Sequence, residues 1–355
     1  MHLFTPFTLK SVTLRNRVGI PPMCQYSATD GLANEWHLVH YGAQAAGGAA
    51  LIIVEATAVA PEGRITPGDL GLWNDAQIEP LTRLVRFQLQ QGVVPAIQLG
   101  HAGRKASCAR PWHGGAHLAE AAGGWPIQAP SAVAFGGDWP RVPREMTEVD
   151  IARVQDDFVA AARRSLAAGF KWLEVHAAHG YLCHSFLSPL SNRRTDRYGG
   201  SFENRIRFLL ETVQRLRAVW PENLPLTVRL SCTDWVPGGW DIDECVELAR
   251  RLKAAGVDLL DCSSGGAVPD AKIPVGPGYA VPFAERIRRE TGIATAAVGM
   301  ITTAAQADAI VQAERADLVL VGREHLRDPF WTLRAARALG HNDALPPPVQ
   351  YRRAF

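Results

Sequence analysis

Eight short apolar, β-branched runs recur along the chain, and amphipathic helical stretches lie between them. In chain order they are RVGIPPM (ending at Met23), ALIIVEATAV (50–59), VVPAIQLGH (93–101), KWLEVHAAH (171–179), LPLTVRLS (224–231), GVDLLDCSSG (from Gly256), IATAAVGMI (from Ile293) and ADLVLVGRE (from Ala316). Strands that alternate with helices indicate βα units and a parallel sheet, and a sheet buried on both faces needs apolar strands. Eight such units predict an α/β fold, a single closed (β/α)8 TIM barrel.

The helical stretches between the runs carry recognisable start signals. The stretch 201–220 begins at Ser201, a good N-cap residue, and a second helix is predicted over 241–256. The competing fold is a doubly wound open sheet. Its dinucleotide-binding version usually carries Gly-x-Gly-x-x-Gly after the first strand, and that motif does not follow the first run here. The pattern therefore favours the barrel.

Two segments do not fit the βα alternation. The stretch 108–145 is rich in Gly, Pro and Trp and follows the third strand. Loops of this length in a compact domain are usually functional. The terminal LPPPVQYRRAF is stiffened by three prolines and predicts an extended arm. We therefore expect a barrel over residues 1–340, with a long loop excursion after the third strand, and a C-terminal arm over 341–355.

Composition narrows the class of function. Lys and Arg number 37 against 35 Asp and Glu, so the formal charge of +2 shows no bias toward nucleic acid or anionic membranes. No run of about 18 apolar residues occurs and the N-terminus lacks a signal-type apolar core, which predicts a cytoplasmic protein. The six cysteines are scattered without a Cys-x-x-Cys pair, so no metal cluster or disulfide framework is expected. Small-molecule substrates are favoured.

In this barrel class the active site lies at the carboxyl ends of the strands. The residues there, strand by strand, are Met23 and Cys24; Glu55 and Ala56; Gln98 and His101; His176 and His179; Arg229; Ser263 and Ser264; Gly299; and Gly322 with Arg323. Glycines after the last two strands, with an arginine, are what a phosphate site needs. Strand-end glycines are also common for steric reasons, so these residues alone leave the phosphate site open.

The histidines of the fourth strand are the strongest chemical signal. A zinc site on His176 and His179 would need a third ligand, and nothing fixes the nearby Cys183 or His184 in that role. Two imidazoles can instead hold one substrate oxygen through paired N–H donors. A purely structural pair of core histidines is the third alternative. A second His-x-x-His pair, at 37 and 40, falls on a predicted helix and is expected to be a packed or surface pair.

Several segments together resemble the old yellow enzyme family, specifically its bacterial thiol-containing branch, which includes the xenobiotic reductases. They are IPPMCQYSA, EATAVAPEGRITPGDLGLW, IQLGHAGRKAS, EVHAAHGYLCHSFLSPLSNRRTDRYGGSFENR, VGMIT and VGREHLRDPFW, and they span almost the whole chain. The resemblance implies an FMN-containing barrel that uses NADPH or NADH. It also implies reduction of activated C=C bonds in α,β-unsaturated carbonyl and nitro compounds, by ping-pong hydride transfer through flavin N5.

The resemblance assigns roles residue by residue. On the cofactor side, Pro21, Pro22, Met23 and Cys24 match the stretch along the flavin; Ala56 and Gln98 match its polar edge; Arg229 matches the cation beside N1 and O2; and Gly299, Gly322 and Arg323 match the phosphate site. On the substrate side, His176 and His179 match the pair that binds the acceptor oxygen, Tyr181 matches the proton donor, and Tyr26 and Ile65 line the pocket. Water could replace Tyr181 as donor, and Cys24 could tune the flavin, contact substrate or only pack.

The C-terminus resembles the same branch, in which a Gln-Tyr-x-Arg end reaches a neighbouring subunit. This implies that Arg353 completes a partner's site and that the protein is a homo-oligomer, a dimer or tetramer. Phe355 stands where the branch often has Trp. The alternatives are a larger relative of the dienoyl-CoA reductase or amine dehydrogenase type, a flavin-free phosphate-binding barrel such as an aldolase or isomerase, and a non-catalytic flavin binder. The physiological substrate is not predictable from the sequence.

Overall fold

Eight parallel strands close into a barrel in the computed structural model, which describes residues 1–355. An antiparallel hairpin of β1 (Phe7–Leu9) and β2 (Val12–Leu14) precedes it. The barrel strands, in order around the barrel, are β3 (Val18–Ile20), β4 (Leu51–Ala58), β5 (Val94–Gly100), β8 (Trp172–Ala177), β9 (Leu226–Ser231), β10 (Leu259–Ser263), β11 (Ala294–Ala297) and β12 (Leu318–Leu320). Each lies inside one of the eight predicted runs, so the predicted TIM barrel is confirmed.

Helices lie between the strands on the outside of the barrel. They are α1 (Glu35–Ala46), α2 (Ile78–Gln90), α3 (Glu148–Ala167), α4 (Leu182–Leu187), α5 (Phe202–Arg205), α6 (Arg207–Arg217), α7 (Ile242–Ala254), α8 (Val281–Thr291), α9 (Ala304–Gln312), α10 (Arg323–Arg327) and α11 (Trp331–Ala338). The predicted helix over 201–220 is two segments, and Ser201 caps the first by accepting from Asn204 N. None of the helices is both long and apolar enough to cross a membrane.

The main core lies between the barrel and its helices, where 70 buried residues form one cluster. The barrel interior is different at the end that carries the site. Parallel pairing sets Gln98 beside Glu174, and His176 beside Arg229, which in turn pairs with Asp261. Side chains of paired residues lie on the same face of a sheet. The register therefore gathers polar groups from strands β5, β8, β9 and β10 inside one end of the barrel.

The excursion over 108–145 has little regular structure. It holds two single 3-10 turns and two short parallel strands, β6 (Gln128–Ala129) and β7 (Arg144–Glu145). The C-terminal segment has no regular structure at its prolines and then forms one 3-10 turn over Val349–Tyr351. Phe355 packs against Phe330, with ring centroids 6.0 Å apart. The division of the chain at residue 340 stays a prediction.

Candidate active site

Two cavities open at the carboxyl ends of the strands, and between them they hold most of the predicted site residues. The inner cavity, of about 310 Å³, is lined by Pro21, Pro22, Met23, Arg229, Ser263, Gly299, Gly322 and Arg323, among others. The outer cavity, of about 570 Å³, is lined by Tyr26, Ile65 and Tyr181 and by residues of the excursion that include Phe135 and Trp139. Ala56, Ile65, His176 and Tyr181 line a narrow gap at the same end of the barrel.

The inner cavity suits a phosphate-bearing flavin. The Arg229 guanidinium makes no hydrogen bond within the protein, and its Nε lies 3.1 Å from Asp261 Oδ2 as an ion pair only. Arg323 is exposed at the other side of the cavity and forms no ion pair. At Gly322 an added Cβ would come within 3.3 Å of Met23 Sδ, so a side chain there would crowd the cavity wall. The cavity thus holds one arginine that has no hydrogen bond in the protein and one that forms no ion pair, and such cations suit the ring edge and the phosphate of FMN.

Gln98 is held inside the barrel by Glu174. Its Nε2 donates to Glu174 Oε1 over 2.9 Å. No protein group donates to the oxygen of the same side-chain amide. Burial, and next the charge of Asp261, raise the pKa of Glu174 to about 8. Burial raises the pKa of Asp261 to about 6, and Arg229 opposes that rise. The cluster thus groups one arginine with two buried acids, and the sequence analysis did not single out these acids.

The two predicted histidines face each other. His176 Nε2 lies 3.4 Å from His179 Nδ1, and the Tyr181 ring is packed on His176 with centroids 4.9 Å apart. Burial, and next the positive charge of Arg229, hold both imidazole pKa values well below the usual value. Both rings are therefore neutral at pH 7, and each has one N–H donor. The predicted pair is brought together in the geometry that a shared oxygen acceptor needs.

The backbone at His179 is strained and is held by three side chains. His179 has a φ of +60°, in the left-handed region that costs a residue other than glycine of the order of 1 kcal/mol or more. Its N–H donates to Ser231 Oγ over 2.9 Å, its carbonyl accepts from Lys105 Nζ over 2.7 Å, and the next N–H donates to His184 Nδ1 over 2.8 Å. We call Ser231, Lys105 and His184 the His179 clamp.

Close backbone packing supports the clamp. Gly180 has a φ of +73°, and a Cβ there would lie 2.0 Å from Gly266 O, so only glycine fits. Lys105 Nζ also reaches Gly266 O over 3.3 Å, which joins the loops after β8 and β10. Burial, and next the charge of Arg104, lower the pKa of Lys105 to about 7. Three aromatic rings surround the ammonium at 4.6–5.0 Å, those of Phe135, Trp139 and Tyr181.

The residues predicted to line the substrate pocket belong to a small apolar cluster. Ile65 packs with buried Ala102, Ala106 and Ile127, and Cys24, Tyr26 and Tyr181 lie against this group. Burial, and next the negative charges of Asp69 and Glu55, raise the pKa of Cys24 well above its usual value, so the side chain is a neutral thiol. Asp69 accepts from Ile65 N over 2.7 Å and from Thr66 N over 3.0 Å, and in this way it fixes the turn that presents Ile65.

Glu55 supports the segment that carries Cys24. Its Oε1 accepts from Gln25 N over 3.1 Å, and its Oε2 accepts from the Tyr41 hydroxyl over 2.8 Å. Burial raises the pKa of Glu55 to about 8. This acid was noticed in the sequence only as a strand-end residue. The structure shows that it connects β4 and α1 to the loop after β3.

Glu55→Gln is expected to weaken the pH dependence of stability. Because the folded pKa of about 8 exceeds the unfolded value of 4.5, the native state keeps a proton that the unfolded chain releases. Wild-type unfolding free energy should therefore fall as pH rises from about 5 to 8, and the glutamine variant should lose less, by on the order of a few kcal/mol. Urea unfolding at several pH values measures this. Exposed Glu79→Gln is the control, and equal slopes for Glu55→Gln and wild type would contradict the assignment.

Arg353 is the predicted site residue that lies away from the site of its own chain. It is exposed, it lines neither cavity, and it forms no hydrogen bond or ion pair. Tyr351 and Phe355 on either side of it both pack against Phe330, with ring centroids 5.6 and 6.0 Å apart. Arg353 is therefore anchored near its own barrel with its guanidinium outward.

Comparison with known proteins gives consistent matches over the whole chain. Residues 2–342 match the NADH:flavin oxidoreductase / NADH oxidase family. An NADPH dehydrogenase of Geobacillus thermodenitrificans (strain NG80-2) is 48% identical, over 99% of this chain and 98% of that protein. The old yellow enzyme homologue from Zymomonas mobilis superposes with a TM-score of 0.78 at 28% identity, over 95% of this chain and 93% of that one. A 2-naphthoyl-CoA reductase complex gives 0.87 at 25% identity over 97% of this chain, which spans about half (53%) of that protein.

Proposed function

This chain belongs to the NADH:flavin oxidoreductase / NADH oxidase family and is an FMN-linked NAD(P)H oxidoreductase of the old yellow enzyme type, and on that premise we propose that it is an ene-reductase. It would reduce C=C bonds conjugated to a carbonyl or nitro group. The observation that carries the proposal is the pair of neutral imidazoles, whose facing nitrogens lie 3.4 Å apart beside the substrate-side cluster. Such a pair suits one oxygen that gains negative charge during reaction.

The residues around the inner cavity would hold the cofactor. They are Pro21, Pro22, Met23, Cys24, Ala56, Gln98, Arg229, Gly299, Gly322 and Arg323. Bound FMN supplies the redox chemistry, which is hydride transfer from a reduced nicotinamide to the acceptor carbon in two ping-pong half-reactions. Arg229 offers a cation without a hydrogen-bond partner, and Gln98 offers a carbonyl acceptor oriented by Glu174. These two groups would meet the polar edge of the ring.

The outer cavity and the narrow gap beside the histidine pair would together take the acceptor. His176 and His179 would each donate to its oxygen, which draws electron density away from the β-carbon. Tyr26 and Ile65 would contact its apolar part. Tyr181 keeps its proton, because burial raises the pKa of its hydroxyl well above the usual value, so it is available as a donor to the α-carbon. Excluding water with these apolar and aromatic walls strengthens the histidine hydrogen bonds.

The test is spectroscopic. Purified protein should be yellow, should release FMN and not FAD, should bleach anaerobically with NADPH, and should regain its colour when 2-cyclohexen-1-one is added. A colourless protein that ignores added FMN would refute the cofactor assignment. A flavin that bleaches but is not reoxidised by any enone, imide or nitroalkene tested would refute the ene-reductase proposal while leaving the oxidoreductase intact.

We also propose that the C-terminal arm completes a partner's site in a homo-oligomer, since the exposed Arg353 has no partner in its own chain. Arg353→Ala should lower turnover roughly 10- to 100-fold, the loss expected for one charge-assisted hydrogen bond. Steady-state kinetics with several enones measures it. Arg352→Ala is the matched control, because this neighbour is equally exposed.

Deleting residues 350–355 tests whether the arm contacts the partner's site or only helps the subunits to assemble. Truncated protein that binds FMN and keeps the wild-type oligomeric state by light scattering should show the same loss as Arg353→Ala. If the truncated protein retains wild-type turnover across the enones, the arm plays no part in the site.

A further inference from the structure

The ring of His179 has a hydrogen-bond partner outside the histidine pair. Its Nε2 lies 2.7 Å from Ser263 Oγ, at the end of β10, and this is the only hydrogen bond of that hydroxyl. Ser263 is buried and lines the inner cavity. A serine hydroxyl can donate or accept, so this contact is compatible with either tautomer of His179. Which ring nitrogen of His179 carries the proton therefore depends on the hydrogen bonds that the neighbouring groups make.

The tautomer of His176 is fixed by the backbone. Its Nδ1 accepts from Ala178 N over 3.3 Å, so the proton of this neutral ring is on Nε2, the atom that faces His179. Two arrangements follow. In a closed arrangement, His176 Nε2–H donates to His179 Nδ1, and His179 Nε2–H donates to Ser263. In an open arrangement, Ser263 donates to His179 Nε2, and His179 carries its proton on Nδ1.

The two arrangements differ in what they offer a substrate. The closed arrangement uses both imidazole protons inside the protein and leaves no donor for an acceptor oxygen. The open arrangement presents two N–H groups from atoms 3.4 Å apart, which can converge on one oxygen. We propose that Ser263 is a positioning residue that, in the substrate complex, donates to His179 Nε2 and so keeps the proton of His179 on Nδ1, facing the acceptor. This inference rests on the proposed function.

The experiment uses the full-length protein loaded with FMN in its oxidised state, in which an enone binds without turnover. The probe is 2-cyclohexen-1-one, with its dissociation constant read from the flavin absorption spectrum. Ser263→Ala should raise that constant roughly five- to tenfold, the loss of one hydrogen bond. Ser263→Thr, which keeps the hydroxyl, should restore most of the affinity. Thr295→Ala is the matched control, because that buried hydroxyl has no partner and lines neither cavity, so its loss should leave the constant unchanged.

A second measurement reads the proton directly. In ¹⁵N-histidine-labelled wild-type protein with the enone bound, His179 should carry its proton on Nδ1, and in Ser263→Ala this preference should be lost. The inference is overturned if wild-type His179 carries its proton on Nε2 in the complex, or if Ser263→Ala binds the enone as wild type does. Failure of the proposed function looks different, because the wild-type protein would then neither bind the enone nor be reoxidised by it.

Discussion

Replacing both His176 and His179 with alanine is expected to slow reoxidation of the reduced flavin by an enone roughly 100- to 1,000-fold, the loss seen when an oxyanion donor is removed. The reason is geometric. The two neutral rings present nitrogens 3.4 Å apart, so both can donate to one oxygen. Stopped-flow absorption at the flavin band measures the rate. Enone affinity should fall in the same variant.

The reduction half-reaction is the internal control for this variant. No negative charge develops on an oxygen of NADPH as it gives up hydride, so flavin reduction should be slowed much less than flavin reoxidation. His176→Asn with His179→Asn supplies a second control, because amide N–H groups can partly replace imidazole donors. Unchanged reoxidation in the double alanine variant, with FMN still bound, would refute the assignment of the pair.

Arg229→Gln is expected to make the flavin reduction potential more negative and to weaken FMN binding. Reduced flavin gains negative charge near its polar edge, and a buried guanidinium that has no hydrogen bond in the protein would stabilise that charge. Losing a charge-assisted hydrogen bond of about 1.5–3 kcal/mol corresponds to roughly 30–65 mV for a two-electron couple. Equilibrium titration against a reference dye measures the potential.

Two further variants separate this effect from damage to the barrel. Arg229 Nε lies 3.1 Å from Asp261 Oδ2, so removing Arg229 alone leaves the buried Asp261 carboxylate without its cation. That loss would destabilise the fold by itself. Arg229→Gln combined with Asp261→Asn removes both charges, and Arg229→Lys keeps the cation. The potential should fall in the double variant and largely recover in the lysine variant. A double variant that binds FMN at the wild-type potential would contradict the role.

The barrel could be predicted from the sequence because each of its strands lies in a mainly apolar run that is followed by a helical stretch. The site could be located for a related reason. Parallel strands end at the same edge, so His176, Arg229 and Gly322 had to lie near one another once the fold was known. Six of the strand-end residues line the inner cavity, and Ala56, His101 and His176 line the narrow gap at the same end of the barrel. The roles assigned to those residues stay predictions.

The supporting groups could not be predicted because they act at a distance in sequence. Lys105 and His179 are 74 positions apart, and their bond joins a side chain to a backbone carbonyl, which leaves no pattern in either segment. Glu174 and Asp261 are acids within otherwise apolar strands, which was a usable signal. Only the register reveals that Asp261 pairs with Arg229, and that Glu174 lies two residues before the His176 that pairs with Arg229 on the other side. The irregular excursion, which lines part of the outer cavity, has no hydrophobic periodicity. Its structure therefore could not be predicted from the sequence.

The His179 clamp sets a limit on how this scaffold can evolve. Barrel enzymes usually acquire new substrates by exchanging one strand-end loop at a time, without disturbing the others. Here the anchor points for one backbone segment come from the loop after β5, from the last residue of β9 and from α4, so a graft that disturbs any of them would misplace the imidazole. Diversification should therefore concentrate in the parts of the excursion that wall the outer cavity without touching Lys105. Libraries that randomise Pro111, Gly114 and Asp138 should yield more active variants than libraries of the clamp residues.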